Sequence, residues 1–240
     1  MTGLKKLLRK YVVSLVHIVS EAIREPNPDP LSHELNKRAV NNSADYVSLH
    51  LQKSVIFSDK RDLYCFAFTL SHLEGSYIEL GVYKGDSINF IANLAALRSA
   101  GGDIAIHGFD SFQGLAEDWK GSVGFVKGHF SLSGQIPKVE KNVSLHVGLF
   151  SETLPSFVQE NQQPIAFLHV DCDTYESTSQ ALKILGSQIK HGTIIVFDEY
   201  IGFPGWQFGE YLAWQEFVRE IGMTYEYLGF SDQTALLRIL

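Results

Sequence analysis

Residues 77–87 have the sequence Tyr77-Ile78-Glu79-Leu80-Gly81-Val82-Tyr83-Lys84-Gly85-Asp86-Ser87. The pattern predicts a strand that ends near an acid, a turn at Gly81, and a helix that Gly85 opens. Unpaired backbone N–H groups at that helix start favour anionic parts of a ligand. The spacing is not G-x-G-x-x-G, which disfavours a nicotinamide site, and the lack of G-K-[ST] excludes a P-loop. A cofactor loop and a glycine turn without a ligand both stay open.

Around this stretch, predicted strands and helices alternate. Helices are expected at about 60–73, 85–98 and 175–189, and strands separated by such helices form parallel βαβ units. The final two strand candidates are joined by a short turn and predict an antiparallel hairpin. The sequence therefore predicts an α/β, doubly wound, Rossmann-like sheet that is mostly parallel. The strand candidates are Tyr77–Leu80, Ile104–Phe109, Val143–Val147, Ile165–Val170, Thr193–Phe197, Thr224–Leu228 and Thr234–Ile239.

Length, charge and cysteine content set the class of protein. A chain of 240 residues with 45% hydrophobic residues predicts one domain with additions, or two small ones. The formal net charge of −7 disfavours non-specific binding to nucleic acid, which needs clustered positive charge. Two cysteines, Cys65 and Cys172, cannot build a disulfide framework, so we expect a reduced, cytoplasmic protein.

The N-terminal segment is basic and amphipathic. Residues 4–23 follow helical periodicity, and the first 25 residues carry five Lys and Arg against two Glu. The segment is too polar for a membrane span or a signal peptide. It predicts a helix that packs on the domain or on a second subunit, with a membrane-surface helix as the alternative. A proline-containing linker over 26–34 follows, so we divide the chain into an extension (1–45) and a domain (46–240).

Asp110 lies at the predicted end of the next strand, about 30 residues after the glycine loop. A carboxylate at this position accepts hydrogen bonds from a ribose diol in dinucleotide-binding folds. The alternative is a solvated acid that caps a helix. The glycine loop between Glu79 and Asp110 favours the ligand interpretation.

Further acids follow two other predicted strands. Asp171 comes after residues 165–170, and Asp198 and Glu199 come after residues 193–197. Parallel neighbours bring their carboxyl ends to one edge of the sheet, so these acids are expected to converge. An all-oxygen set fits a hard cation such as Mg²⁺. Asp173 is a reserve ligand or a helix N-cap, and capping acids without a metal are the alternative.

Candidate substrate residues lie next to these acids. His169 shares a strand face with Asp171, and a hydrogen-bonded core histidine and a substrate or base role both stay open. The aromatic segment Tyr200–Tyr211 contains Tyr200 and Trp206. It predicts either an acceptor wall or lid, or packing against a helix at 207–221.

Together these motifs resemble the macrocin O-methyltransferase family over about residues 45–240. The motifs are Glu79-Leu-Gly-Val-Tyr-Lys-Gly85, Asp110-Ser-Phe-Gln-Gly-Leu115, Gly148-Leu-Phe150 with Leu154-Pro155, His169-Val-Asp-Cys-Asp-Thr-Tyr-Glu-Ser-Thr178 and Phe197-Asp-Glu-Tyr200. The resemblance implies a class I methyltransferase fold with a seven-stranded sheet. It also implies S-adenosylmethionine, a divalent cation and a sugar hydroxyl in antibiotic or other natural-product biosynthesis.

The resemblance also assigns residues. It implies contacts to S-adenosylmethionine from Glu79, Gly81, Tyr83, Gly85, Ser87, Asp110, Ser111, Phe112, Gly148, Leu149 and Asp171. Asp171, Asp198 and Glu199 match the metal ligands, and Asp171 also matches the general base. The family commonly has two aspartates where this chain has Asp198-Glu199, and the longer Glu199 predicts a weakened or shifted metal site.

We therefore expect a metal-dependent O-methyltransferase for a small polyhydroxylated acceptor. Its assembly is expected to be a homo-oligomer, with the N-terminal helix as a candidate contact. Two alternatives stay open: a metal-independent small-molecule methyltransferase, and a non-catalytic protein that binds S-adenosylmethionine. Methyl transfer is an in-line displacement, so we expect the protein to act mainly by aligning the acceptor oxygen, the methyl group and the sulfur.

Overall fold

The structure is a computed structural model, and it describes residues 30–72, 74–99, 104–120 and 125–240. The predicted helix over residues 4–23 lies outside these residues. The compact unit that carries the sheet spans Asn36–Leu240. The first described helix begins at Pro30, so the last five residues of the predicted linker are helical. Proline suits the first position of a helix, where its missing N–H would have had no partner.

Eight strands and six α-helices are present within the described residues. The strands are β1 (Val55–Ile56), β2 (Ser76–Leu80), β3 (Ile106–Asp110), β4 (Val143–Val147), β5 (Ile165–Val170), β6 (Ile194–Phe197), β7 (Tyr225–Ser231) and β8 (Thr234–Ile239). The helices are α1 (Pro30–Ser48), α2 (Lys60–Leu70), α3 (Asp86–Arg98), α4 (Phe150–Glu160), α5 (Tyr175–Leu185) and α6 (Glu210–Ile221), with a 3₁₀ turn at Trp206–Phe208.

The strands form one sheet in the order β1-β7-β8-β6-β5-β2-β3-β4. Strands β2 to β6 pair in parallel, and β8 runs antiparallel to both β6 and β7. This confirms the predicted class I methyltransferase fold with its C-terminal antiparallel hairpin. The implied count of seven strands is wrong by one, because the two-residue β1 adds to the edge beside β7. So short a strand carries no sequence pattern of its own.

The core lies on both faces of the sheet, because the central strands alternate their side chains between two apolar clusters. In β5, Leu168 and Val170 pack on the face that α4, α5 and α6 cover. Ala166 and Phe167 both pack on the opposite face, under α2 and α3, because an irregularity in the pairing of β5 with β2 interrupts the alternation at Ala166. All residues of β2, β5 and β6 are buried, and apart from Ser76, Glu79 and His169 they are apolar, as is typical of strands covered on both faces.

The order of strands reverses between β2 and β5. From β2 the chain moves outward to β3 and β4, and from β5 it moves in the other direction to β6. In open α/β sheets, ligands bind outside the carboxyl ends of the strands at such a switch point. The glycine loop follows β2, and Asp171 follows β5, so the two lie side by side at this edge. No helix within the described ranges is long and apolar enough to cross a membrane.

Candidate functional site

The glycine loop is built against the neighbouring strand end. Gly81 has a φ of +88°, and a Cβ at this position would overlap the backbone carbonyl of Asp171. Gly85 has a φ of +87° and is the N-cap of α3, whose first N–H groups are left for other partners. The turn therefore requires glycine for two reasons, backbone conformation and close approach of two loops.

Asp110 holds this loop in place. Its Oδ2 accepts hydrogen bonds from the backbone N–H groups of Val82 and Tyr83, both at 2.8 Å. Its Oδ1 accepts from the N–H of Phe112 at 2.7 Å. The helix N-cap alternative for Asp110 is wrong, because no helix follows it in the described residues before α4. Its carboxylate fixes the path of the glycine loop.

A cavity of about 490 Å³ opens at this edge of the sheet. It reaches from the glycine loop to the acids after β5 and β6, and aromatic side chains form part of its wall. Of the residues predicted to bind cofactor or metal, the cavity is lined by Gly81, Tyr83, Asp110, Ser111, Gly148, Leu149, Asp171, Asp198 and Glu199. This volume is within the usual range for small-molecule sites, which is about 300–1,000 Å³.

Other predicted residues lie behind the cavity wall. Glu79 and Phe112 are almost fully buried, and neither lines the cavity. Ser87 Oγ donates a hydrogen bond to Glu79 Oε1 at 3.0 Å, which ties the start of α3 to the end of β2. With Gly85, these residues shape the loop from behind.

Acidic side chains converge at the other end of the cavity, as predicted. Asp171, Asp173 and Glu199 place one carboxylate oxygen each within 4.8 Å of one another. Asp171 also belongs to a second such group with His169 and Asp198. The predicted set of Asp171, Asp198 and Glu199 is thus divided between two groups that share Asp171.

Burial and mutual repulsion govern the charge of these acids. Burial and the charge of Asp198 raise the pKa of Asp171 well above its usual range. Burial and the charges of Asp198 and Asp110 raise the pKa of Asp173 to about 7. Burial and the charges of Asp171 and Asp173 likewise raise the pKa of Glu199. Ionised carboxylates are costly at such a site unless a cation is added.

Asp198 differs from the other acids because a lysine forms an ion pair with it. Burial opposes its ionisation, but the charges of His169 and Lys60 hold the pKa of Asp198 below its usual value. Lys60 Nζ lies 2.8 Å from Asp198 Oδ2. Lys60 also lines the cavity, and sequence reasoning missed it because nothing in the sequence connects the start of α2 to β6.

His169 is a hydrogen-bonded core residue, and the structure does not place it on the cavity. Its Nδ1 lies 2.9 Å from Glu79 Oε2, and its Nε2 lies 3.2 Å from the Tyr64 hydroxyl. Tyr64 donates to Asp198 Oδ1 at 2.7 Å. Although burial disfavours the charged ring, the hydrogen bond and charge of Glu79 raise the pKa of His169 to about 9. A buried chain thus runs from Glu79 to Asp198.

The substrate roles predicted for Tyr200 and Trp206 are not supported, because both side chains are buried away from the cavity. The Tyr200 hydroxyl lies 2.6 Å from that of Tyr227, and the Trp206 ring packs edge-on against Tyr211. The packing alternative therefore describes this segment. The aromatic wall comes instead from Tyr83 and from five residues that sequence reasoning missed: Phe109, Trp119, Phe125, Phe130 and Phe150.

One further correction and one missed residue concern the surroundings of the acids. Thr174, not Asp173, is the N-cap of α5, since its Oγ1 accepts from the N–H of Ser177. Glu210 at the start of α6 is buried and accepts from the N–H groups of Cys172 and Glu199, at 3.3 and 3.2 Å. It thereby joins the loops after β5 and β6, although it lies 38 residues from Cys172 and 11 from Glu199 and carries no sequence signal.

Comparison with known proteins identifies the family and the fold. Residues 78–200, just over half of the chain, match the family described as "Methyltransferase domain". No curated protein matches the chain. Among solved structures, the calicheamicin methyltransferase CalS11 is 22% identical with a TM-score of 0.63, over 88% of this chain and 94% of that one. The O-methyltransferase NovP is 18% identical with a TM-score of 0.56, over 75% of this chain and 78% of that one.

The matched region contains the glycine loop, Asp110 and all of the clustered acids that follow β5 and β6. The prediction that the protein is a methyltransferase is therefore confirmed. By sequence and by fold, the chain belongs to the methyltransferase domain family.

Proposed function

We propose that the protein transfers the methyl group of S-adenosylmethionine to a hydroxyl of a sugar or other polyhydroxylated intermediate of natural-product biosynthesis, with a divalent cation. This is the activity implied by the resemblance to the macrocin O-methyltransferase family. The similar structures are named as a calicheamicin methyltransferase and an O-methyltransferase. The observation that carries the proposal is one cavity that joins the glycine loop to the clustered carboxylates.

The cofactor would occupy the end of the cavity at the glycine loop. Gly81 and Tyr83 lie after β2, Asp110 ends β3 and Ser111 follows it, and Gly148 lies after β4, so three neighbouring strand ends contribute to one wall. Loops at this switch edge can contact the methionine, ribose and adenine parts of one ligand. The Asp110 carboxylate would act by fixing the loop, because its oxygens already accept three backbone N–H groups.

The carboxylates fit a divalent cation. Glu199 Oε2 is buried and has no hydrogen-bond partner among the described residues. Carboxylate oxygens are the ligands that Mg²⁺ prefers. A bound divalent cation lowers the pKa of a coordinated hydroxyl and orients it. Asp171 lines the cavity beside the glycine loop, so a carboxylate oxygen of Asp171 is the proposed acceptor of the hydroxyl proton.

The aromatic part of the cavity wall is suited to contact the acceptor molecule away from its reacting hydroxyl. Trp119 stacks with Phe125, and Phe130 packs against Tyr83 of the glycine loop. Aromatic faces of this kind exclude water and hold apolar or ring-shaped groups by contact area. The protein would then accelerate the reaction mainly by aligning the acceptor oxygen with the methyl group.

The test is methyl transfer measured by mass spectrometry, with S-adenosylmethionine and a panel of sugars and other vicinal diols. We expect a product heavier by one methylene, loss of activity with a chelator, and recovery with Mg²⁺. Asp171→Asn should lower kcat by at least about 100-fold, as expected for loss of an acid–base group. The exposed Asp45→Asn is the matched control.

Each opposing result has a distinct meaning. Failure of every hydroxylated acceptor would overturn the proposed substrate class. Activity that persists after chelation would favour the metal-independent methyltransferase. The predicted homo-oligomer and cytoplasmic location stay predictions, since the N-terminal helix lies outside the described residues.

A further inference from the structure

The two carboxylate oxygens of Asp198 have different surroundings. Its Oδ1 accepts hydrogen bonds from the Tyr64 hydroxyl at 2.7 Å and from Thr234 Oγ1 at 3.1 Å. Both of these side chains are almost fully buried, and neither lines the cavity. Its Oδ2 accepts from Lys60 Nζ at 2.8 Å, and Lys60 does line the cavity. Oδ1 is therefore bonded to the protein core, whereas Oδ2 lies on the side of the cavity.

This arrangement leaves one acceptor position of Asp198 open. An ionised carboxylate offers about four lone-pair sites, and the three donors occupy three of them. The buried hydroxyls use both sites on Oδ1, so the remaining site belongs to Oδ2. Asp198 lines the cavity and has an oxygen within 4.8 Å of one of Asp171. Oδ2 is therefore the oxygen that can reach a cation without the loss of a buried hydrogen bond.

The Tyr64 hydroxyl is itself held in one orientation. It lies 3.2 Å from His169 Nε2, and His169 Nδ1 lies 2.9 Å from Glu79 Oε2. A hydroxyl has one proton and an ionised carboxylate only accepts, so Tyr64 donates to Asp198 and accepts from His169. All four side chains are at most 5% exposed. Hydrogen bonds in such a buried network strengthen one another, so the donor to Asp198 has little freedom to turn away.

The two hydroxyl donors lie outside the residues that match the methyltransferase family. Tyr64 belongs to α2, before residues 78–200, and Thr234 begins β8, after them. Lys60 lies four residues before Tyr64, on the same face of α2, and bonds to the same carboxylate. The orientation of Asp198 is thus determined by elements on either side of the matched region.

We propose that Tyr64 and Thr234 are positioning residues of the cation site, which hold Asp198 Oδ1 against the core and so present Oδ2 to the cation. This inference rests on the proposed function, and it adds two residues that neither the sequence motifs nor the family resemblance assigned. Removal of a hydrogen-bond partner that orients a metal ligand commonly weakens metal binding by about 10–100-fold. Without these donors, the carboxylate can turn both oxygens toward Lys60, and a binding cation has to restore its orientation.

The experiment measures Mn²⁺ binding to the full-length protein by electron paramagnetic resonance, and binding of S-adenosylhomocysteine by calorimetry. Tyr64→Phe and Thr234→Val each remove one hydroxyl and nearly keep the shape of the side chain. Tyr77→Phe is the matched control, because Tyr77 is also buried and its hydroxyl bonds to Ser71 Oγ and to the carbonyl of His72. Tyr77 does not line the cavity. Circular dichroism establishes that each variant is folded.

We expect Tyr64→Phe to weaken Mn²⁺ binding about tenfold, and Thr234→Val, which removes the longer hydrogen bond, to weaken it at least about threefold. The spectrum of the bound Mn²⁺ should also change in both variants, because the carboxylate meets the ion in a different orientation. Tyr77→Phe should change neither the affinity nor the spectrum. Binding of S-adenosylhomocysteine should stay within about twofold of the wild type in all three variants, since none of them alters the cofactor end of the cavity.

The inference is overturned if both hydroxyl variants bind Mn²⁺ within about twofold of the wild type, or if Tyr77→Phe loses as much affinity as Tyr64→Phe. It is also overturned if binding of Mn²⁺ and of S-adenosylhomocysteine weaken equally, because a general loosening of the fold would have that effect. If Tyr64→Phe does not fold, Thr234→Val decides the question, since its hydroxyl donates to the same oxygen.

Failures of the two proposals are distinguishable. A wild-type protein that binds no Mn²⁺ would remove the cation from the proposed function and overturn this inference with it. Wild-type binding that both hydroxyl variants leave unchanged overturns only the positioning roles. Weaker Mn²⁺ binding in both variants, without methyl transfer to any hydroxyl by the wild type, would leave the positioning roles standing and overturn the proposed acceptor.

Discussion

At the scale of single residues, the candidate site depends on carboxylates whose roles differ although their sequence contexts look alike. Asp110 is the last residue of β3, and Asp171 and Asp198 directly follow the parallel strands β5 and β6. Asp110 bonds to backbone N–H groups, Asp198 bonds to a lysine and two hydroxyls, and Asp171 faces other acids. The position after a strand predicts that an acid reaches the edge of the sheet. Its neighbours in space determine what it does there.

Asp110→Ala should weaken binding of S-adenosylhomocysteine at least about tenfold, because the glycine loop loses its hydrogen bonds to a charged acceptor, each worth about 1.5–3 kcal/mol. Isothermal titration calorimetry measures the change. Asp118→Asn is the control, since Asp118 also accepts a backbone N–H, that of Lys127, but does not line the cavity. Unchanged affinity in the Asp110 variant would show that the loop holds its shape without this acid.

Gly81→Ala should destabilise the protein by at least about 2 kcal/mol, because a new Cβ would overlap the Asp171 carbonyl in addition to the strain of positive φ. Gly222→Ala is the matched control. Gly222 also has a positive φ, of +68°, but no atom lies within 4 Å of a Cβ there. Gly222→Ala should lower the free energy of unfolding by about 1 kcal/mol. Urea unfolding compares the two, and equal losses would contradict the close packing of the loop.

At the scale of elements, neighbouring strands hold polar pairs that sequence patterns do not show. His107 of β3 and His146 of β4 face each other, with Nδ1 and Nε2 3.1 Å apart. Near the opposite end of the sheet, the Tyr227 hydroxyl of β7 lies 2.6 Å from the hydroxyl of Tyr46 in α1 and 2.6 Å from that of Tyr200. Such pairs fix the packing of one element against another.

The histidine pair predicts acid sensitivity. Burial and the neighbouring His146 lower the pKa of His107 to about 4. In the unfolded chain the histidine pKa is about 6.5, so at lower pH the unfolded state binds a proton that the folded state does not bind. The free energy of unfolding therefore decreases as the pH falls from about 6.5 to about 4. The loss is at most about 1.4 kcal/mol per pH unit. Urea unfolding at several pH values should show a shallower slope for His107→Gln, and an identical slope would refute this origin.

At the scale of the whole molecule, the sheet gathers the site from segments far apart in the chain. The cavity combines α2, the loops after β2 to β6, and Gln233 between β7 and β8. The reversal of strand order beside β2 makes this possible, because loops there diverge and leave a crevice. Acidic side chains are clustered at this edge, so a cation that binds there should stabilise the folded protein.

Mg²⁺ should therefore raise the unfolding temperature of the protein. At a concentration about 100 times its Kd, a ligand adds about 2.7 kcal/mol, which corresponds to roughly 5–10 °C for a domain of this size. Scanning calorimetry with Mg²⁺, with a chelator, and with KCl at equal ionic strength measures the effect. Asp171→Asn should abolish most of the shift and Asp45→Asn none of it. An equal shift in KCl would assign the effect to charge screening.

Much of the fold could be predicted from the sequence. Strands β4, β5 and β8 have the predicted bounds, because an alternating segment in β4 and largely apolar segments in β5 and β8, each between turns, leave few alternatives. The short β1 and the extension of α1 into the proline segment were missed. They depend on contacts with β7 and on a proline at a helix start, which local patterning does not distinguish from a linker.

By itself, the sequence determined the order of elements, the strand-end position of every key acid, and the glycine loop, because these follow from hydrophobic period and from residues with special backbone freedom. Only the tertiary structure decided the partners of those acids. Lys60 reaches Asp198 across 138 positions, and Trp119 rather than Trp206 lines the cavity. Such contacts form when elements that are distant in the sequence pack together. Hydrophobic periodicity reports only the structure of each element, so it does not reveal these contacts.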